Sequence, residues 1–502
     1  MTARSLRIWL GVILLACTLG ARLPGALHYA LWEDEVGAEH VIAAPTVSSA
    51  VDRVVAHEST PPTFYLMARV VDRATSGLSR PSRARVGRGL SIVFSLGCTA
   101  LTLLLAFEFL PLWAAAIAGL LASFASVLVI HGSELRAYSL LAFTCAAFAV
   151  ALALAVKRPD YRRLALLAGA VALGSMSHYF FLFTFAAGVV WLLTVTRDRS
   201  VLLRIGGALV VGLIPLAVWL PNWVRQYDNG LYGTAPPFSF AHVVDLLPSL
   251  FIPEQVVSKA PLILPLEVTV AVLAAAVFLL LRRPGAGRLV ALCVLVPFVV
   301  ITLMVWITEK RVYNIRNQIG VTPFAAIALA WGCAALPWRR VAYLAAALAG
   351  ALVLAGFTYS QVDLGRTPYN RIAHDLIAQG FRHNEPILWF GKNGGILPVE
   401  WYLTLNESPV PWPRISYASP TGKACRAIEV VVRDTSGRTW LAQHQGAILA
   451  RTSTRSYGDS IQGGRGENAI IARLRWSKGI LSNTGAVLLT RDGSQTPCAT
   501  VR

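Results

Sequence analysis

Three carboxylates lie side by side in Trp32-Glu33-Asp34-Glu35, just past the first apolar stretch of the chain. Acid is conspicuous here because charge is scarce: 14% of residues are charged and 55% are hydrophobic. An ionisable group at a membrane edge is costly, which makes it a functional-site candidate by default. Asp34 and Glu35 are therefore taken as the seat of the chemistry. The competing reading is an acidic start to an interfacial helix, with Asp34 or Glu35 satisfying free backbone N–H groups.

Four other stretches carry titratable or polar groups in an apolar chain. His57-Glu58-Ser59-Thr60-Pro61-Pro62 pairs two such residues with a proline-fixed turn. Ser133-Glu134-Leu135-Arg136-Ala137-Tyr138 sits between two apolar runs. Glu134 and Arg136 are too close in sequence to face each other on a helix, so they point at different partners or cap a turn locally. Ser177-His178-Tyr179-Phe180 puts a histidine among aromatics at a span end. Lys310, Arg311 and Arg316 crowd three cations into a late loop. Arginine binds phosphate through a planar two-donor fork, so these cations suit a phosphate, either of a substrate or of lipid headgroups. Acid on one loop and cations on others point to a reaction on a phosphate-bearing lipid.

The elements that must hold these residues are membrane helices. The chain has 502 residues and a mean hydropathy of +0.58. Its repeated apolar runs are each long enough to cross ~30 Å of hydrocarbon. Spans are expected at 5–24, 88–108, 112–130, 137–156, 162–178, 180–196, 203–221, 263–281, 289–307, 319–336 and 340–357. The fold class is thus a polytopic α-helical membrane protein of about eleven transmembrane helices. Residues 1–357 form the membrane domain, with an extracytoplasmic catalytic loop over 25–87 that holds interfacial helices at 35–56 and 62–74. Residues 358–502 read as an extracytoplasmic α/β domain, with a helix over 369–380 and strands near 386–390, 427–432, 446–450, 469–474 and 485–489.

Charge placement supports this orientation. Lys157, Arg158, Arg162 and Arg163, then Arg197, Arg199 and Arg204, then Arg282, Arg283 and Arg288, then Arg339 and Arg340 fall in expected cytoplasmic turns. Arg80, Arg83, Arg85 and Arg88 break the pattern, and are expected to face something anionic. The net charge of +19 is dispersed over such turns, which fits membrane lipids as partner and not nucleic acid. Five of seven cysteines lie in apolar spans as small hydrophobes, while Cys425 and Cys498 lie where a disulfide is possible.

In order and spacing these motifs resemble the GT-C superfamily of membrane glycosyltransferases. The nearest group includes protein O-mannosyltransferases and the aminoarabinose transferase acting on lipid A. The first-loop acidic pair corresponds to Asp34-Glu35, and the loop-end stretch before the prolines to Glu58 through Tyr65, here with Ser59-Thr60 inserted. The Glu-x-Arg-x-Tyr turn corresponds to Glu134, Arg136 and Tyr138, the His-Tyr-Phe span end to His178 through Phe180, and the late basic segment to Arg311 through Pro323. The resemblance implies a GT-C fold in a bacterial plasma membrane. It also implies a polyprenyl-phosphate sugar as donor and an acceptor hydroxyl of the cell envelope on the extracytoplasmic face. Asp34 would then be the general base, with inversion at the anomeric carbon. Arg136, Lys310, Arg311 and Arg316 would stabilise charge on the departing phosphate, Glu35 and Glu58 would orient the acceptor or Asp34, and His57, Glu134, Tyr138 and His178 would help bind substrate. No cofactor is required, although the carboxylates could hold a divalent cation.

Three other functions compete. A flippase for lipid-linked sugar would carry polar or broken helices at mid-membrane. An oligosaccharide ligase would share the fold and use a pyrophosphate-linked donor. A membrane-anchored glycan-binding protein would leave the acidic loop unexplained.

Overall fold

The computed structural model describes residues 2–229, 247–253, 263–308 and 314–363, and then 369–370, 373–374, 387–390, 397–403, 414–421, 424–431, 451–453, 470–473 and 488–490. The chain divides into two compact units. One holds residues 1–28 and 41–360, and the other holds 29–40 and 361–502.

The first unit is a helical membrane body. Its helices are α1 (Ala3–His28), α2 (Glu33–Ile42, which begins in the other unit), α3 (Val47–His57), α4 (Thr63–Ala74) and α5 (Arg80–Ala106). These are followed by α6 (Leu112–Phe124), α7 (Ser126–Gly132), α8 (Tyr138–Lys157), α9 (Tyr161–Ser175), α10 (Phe181–Val195) and α11 (Arg199–Asp228). Next come α12 (Ile263–Leu281), α13 (Ala286–Thr308), a 3-10 helix (Ile315–Val321), α14 (Thr322–Ala334) and α15 (Arg339–Asp363). Nine of the eleven expected spans fall on one helix each, while 112–130 falls on the bent pair α6–α7 and 319–336 on the 3-10 helix followed by α14. Six described helices are long and apolar enough to cross a membrane alone, and the bent pair α6–α7 makes a seventh. The others are shorter: α9 and α10 have 15 residues each, and α14 has 13. At 1.5 Å per residue these fall short of ~30 Å, so adjoining turns must complete the crossing. Before α14 the 3-10 helix does this.

The segment expected as one helix over 35–56 is two. Pro45 removes a donor, and Thr46 then starts α3 with a capping box. Its side chain accepts from Ser49 N at 3.0 Å, and Ser49 Oγ accepts from Thr46 N at 3.0 Å. Arg69 of α4 donates to the carbonyls of Ile42 (3.0 Å), Ala44 and Pro45 (2.8 Å), which satisfies the chain end that α2 leaves open.

Arg83 and Arg88, two of the arginines at odds with the charge pattern, meet identifiable protein groups. α5 begins at Arg80, so Arg80, Arg83, Arg85 and Arg88 all lie on its first turns. Arg83 pairs with Asp72 of α4 at 3.2 Å. Arg88 is fully buried and donates to the carbonyls of Ala26 (3.1 Å) and Gly25 (3.4 Å) in the last turn of α1. A cation there meets the negative end of the helix dipole. At the other end of α5, Glu108 pairs with Lys157 at the end of α8, so these two helix ends share one face of the body.

The second unit contains the start of α2. Trp401, on α16 (Leu397–Leu403), donates from Nε1 to Glu39 Oε2 at 2.9 Å, and Tyr402 OH accepts from Leu31 N at 3.0 Å. Its strands are β1 (Ile387–Phe390), β2 (Arg414–Thr421), β3 (Ala424–Val431), β4 (Arg451–Ser453), β5 (Ile470–Arg473) and β6 (Leu488–Thr490). They form an antiparallel sheet in the order β2-β3-β1-β5 and a separate β4-β6 pair. The β2 strand was not anticipated because Pro420 interrupts its pattern. Its edge position explains why proline is tolerated. The expected strand at 446–450, most of the helix at 369–380, and Cys498 lie outside the described residues.

Candidate active site

A buried polar cluster forms in the first unit where α3, α4, the α7–α8 turn, the α9–α10 join and the 3-10 helix meet. Glu58 follows α3 and is buried. Its Oε1 accepts from Arg136 NH1 at 2.7 Å, and its Oε2 accepts from Tyr65 OH at 2.8 Å. Thr60 Oγ1 lies 3.2 Å from the same hydroxyl. Burial pushes the Tyr65 hydroxyl well above its ordinary range, so it keeps its proton and donates it.

Glu134 and Arg136 turn to different partners, as their spacing requires. Arg136 goes to Glu58, and Glu134 Oε2 lies 2.7 Å from His131 Nδ1. Ser91 Oγ of α5 donates to the Glu134 carbonyl at 2.6 Å, which pins the turn. The residue that organises this cluster is Tyr138. Its ring lies 4.9 Å from the His131 ring and 6.0 Å from the His178 ring. The guanidinium carbons of Arg136 and Arg316 lie 6.0 and 5.8 Å from its centroid. Two arginines and two imidazoles therefore share one aromatic platform.

His178 is buried in the join between α9 and α10. Its Nδ1 accepts from Phe180 N at 3.2 Å, so that nitrogen holds a lone pair.

The expected site residues do not all join the cluster. Glu58, Glu134, Arg136, Tyr138, His178 and Arg316 are brought together. His57 is exposed at the end of α3. Lys310 and Arg311 lie outside the described residues. Asp34 and Glu35 belong to the second unit, in the first turn of α2. Glu35 is fully buried, and its Oε2 accepts from Trp32 N at 3.4 Å, reaching back to the residue that precedes the helix. That is the carboxylate half of a capping box. Asp34 is half-buried one residue earlier.

Sequence reasoning missed two members. His131 stands three residues before Glu134, a helical spacing that would have paired them. Gln226, buried near the end of α11, donates through Nε2 to the carbonyls of Val54 (3.1 Å), Glu58 (2.8 Å) and Thr60 (3.0 Å). Its Oε1 accepts from Tyr179 OH, which also accepts from Trp219 Nε1 at 2.9 Å. One amide thus braces the turn that presents Glu58.

The α6–α7 break is also braced. The two helices meet at 48°. Arg22 of α1 donates through NH1 to the Ser123 carbonyl at 2.8 Å and to Thr18 O at 3.0 Å. Beyond the break, Ser126 N donates to Phe251 O at 3.2 Å. Among the described residues no group of three or more His, Cys, Asp or Glu side chains is placed to hold a metal ion.

No protein-family model and no curated protein matches the sequence. Solved structures do. ArnT from Cupriavidus metallidurans bound to undecaprenyl phosphate is 15% identical, over 80% of this chain and 75% of that chain, with a TM-score of 0.48. The oligosaccharyltransferase AglB from Archaeoglobus fulgidus, in complex with an inhibitory peptide and a dolichol-phosphate, is 12% identical over 82% of this chain and 62% of that chain, with a TM-score of 0.47. The S. cerevisiae protein O-mannosyltransferase Pmt1-Pmt2 complex bound to its sugar donor is 16% identical over 44% of this chain and 34% of that chain, with a TM-score of 0.33. The chain is a polytopic helical protein similar in structure to these three at low identity.

Proposed function

We propose that the protein is an inverting glycosyltransferase that moves a sugar from a polyprenyl-phosphate donor to an acceptor hydroxyl at the extracytoplasmic face of the plasma membrane. The observation that carries this reading is the Tyr138 platform, where Arg136 and Arg316 stand about the same ring. Two guanidiniums held in a buried site are suited to an anion, and arginine matches the geometry of phosphate. A phosphate leaves readily when cations meet its developing charge. Glu58 holds Arg136 in place through a charge-assisted hydrogen bond and is itself held by Tyr65. With both oxygens engaged, Glu58 serves as an orienting group. The base is assigned to Asp34 on the strength of the motif resemblance. Its carboxylate takes the acceptor proton while the acceptor oxygen attacks the anomeric carbon. Glu35 fixes the helix start on which Asp34 stands.

The broken α6–α7 span favours a second reading, since transporters build sites at such breaks. Here the backbone groups freed by the break are met by Arg22 and Phe251. A closed break of this kind is an elbow that aims the 131–136 turn.

The test is sugar transfer by purified protein in lipid, with a panel of polyprenyl-phosphate sugars and Asp34→Asn beside wild type. The expected result is turnover with one donor that falls by ~10²-fold or more in Asp34→Asn. Movement of lipid-linked sugar between leaflets without transfer, or an Asp34→Asn variant as fast as wild type, would overturn the reading.

A further inference from the structure

We propose that His131, oriented by Glu134, is the proton donor to the departing lipid phosphate. The inference rests on the glycosyltransferase reading and adds to it a group that neither the motifs nor the proposed base includes.

The two side chains form a carboxylate–imidazole dyad. Glu134 Oε2 lies 2.7 Å from His131 Nδ1, joining the last turn of α7 to the turn that follows it. The carboxylate is 1% exposed and the imidazole 11%. Because a carboxylate accepts, the proton on Nδ1 is committed to it. Proton exchange then falls to Nε2. The ring lies 4.9 Å from that of Tyr138, the platform also flanked by Arg136 and Arg316. His131 therefore stands beside the proposed phosphate position and differs in kind from its two permanent cations.

The second imidazole on the platform is arranged differently: His178 uses Nδ1 as an acceptor for Phe180 N, so no carboxylate orients it through that nitrogen. His131 is flanked by Glu134, with Arg136 on the same turn. Next to it in sequence, a Cβ on Gly132 would lie 2.8 Å from Arg22 Nε of α1 and 2.5 Å from Ser95 Oγ of α5. Ser91 of α5 holds the Glu134 carbonyl, and Arg316 of the 3-10 helix lies over the Tyr138 ring. The arginines keep their charge throughout the working range.

The step balances as follows. The bond between the anomeric carbon and the phosphate oxygen breaks, and its electron pair stays on that oxygen. The acceptor oxygen bonds to the anomeric carbon and gives its proton to the general base of the proposed reaction. The His131 imidazolium gives its Nε2 proton to the phosphate, which leaves as the monoanion. Solvent then returns a proton from that base to His131. The net transfer is one acceptor proton to the lipid phosphate.

Two measurements on full-length protein in lipid nanodiscs test this, each with wild type, His131→Gln and Glu134→Gln. The first is sugar transfer across pH. Wild type is expected to lose kcat on the alkaline side. His131→Gln should be ~10²-fold slower, with its alkaline limb gone and its donor KM changed less than threefold. The second is binding of polyprenyl phosphate alone across pH. Wild type should bind more weakly as pH rises, and His131→Gln should lose that dependence. Deprotonation of the phosphate, near pH ~6, acts with the opposite sign. Glu134→Gln keeps an oxygen acceptor for Nδ1 but removes the charge, and it should weaken the alkaline limb in both measurements. Transfer with an alkaline limb unaltered in His131→Gln overturns the dyad and leaves the glycosyltransferase reading standing. If binding depends on pH through His131 but no sugar is transferred, the function reading fails, and the proton-donor role fails with it. Absence of both transfer and binding overturns both.

Discussion

Arg136 reaches Glu58 at 2.7 Å across 78 positions of chain, and both side chains are buried. The contact closes the α7–α8 turn onto the end of α3. Removing one partner leaves an unpaired charge in a buried site, which typically costs about 3–5 kcal/mol. Arg136→Met and Glu58→Met are each expected to lower unfolding stability by that order in detergent. The double variant should lose less than the sum. Additivity within about 0.5 kcal/mol would show that the two residues do not act as a pair.

The apolar body was legible because lipid imposes long apolar runs, so the expected spans fall on helical segments. The break between α2 and α3 was written as Pro45-Thr46 with Ser49 at the capping position, a local signal easily overrun by the apolar periodicity around it. The site was legible only in its members. Glu58, Arg136, Tyr138, His178 and Arg316 stood out as polar residues in an apolar chain, but their meeting at one ring depends on helix packing that no spacing encodes. Gln226 was invisible for a plainer reason. It is uncharged and lies on a helix whose apolar pattern accounts for it until its three carbonyl partners are seen.

Those three carbonyls give the next prediction. In Gln226→Leu the carbonyls of Val54, Glu58 and Thr60 lose their amide donor, and the Tyr179 hydroxyl loses its acceptor. A buried polar group left without a partner costs about 1–3 kcal/mol. The variant should unfold earlier than wild type, and the Glu58 turn should open first. Hydrogen exchange over residues 54–65 reads this directly. Protection equal to wild type there would mean that the turn holds itself.

Gly132 tests the elbow that aims the site. A Cβ at this position would lie 2.5 Å from Ser95 Oγ and 2.8 Å from Arg22 Nε. Both are packed groups, and Arg22 is only 1% exposed. Gly132→Ala must therefore push Arg22 away from the Ser123 carbonyl or shift α7 against α5. Overpacking of this kind costs about 1–3 kcal/mol. Gly11, also on a membrane helix, has nothing within 4 Å of its would-be Cβ. Gly11→Ala should gain about 0.5–1 kcal/mol from helix propensity. Thermal unfolding of the two variants side by side should move in opposite directions. If Gly132→Ala is as stable as Gly11→Ala, the elbow yields freely, and Arg22 does not fix the direction in which α7 presents His131, Glu134 and Arg136.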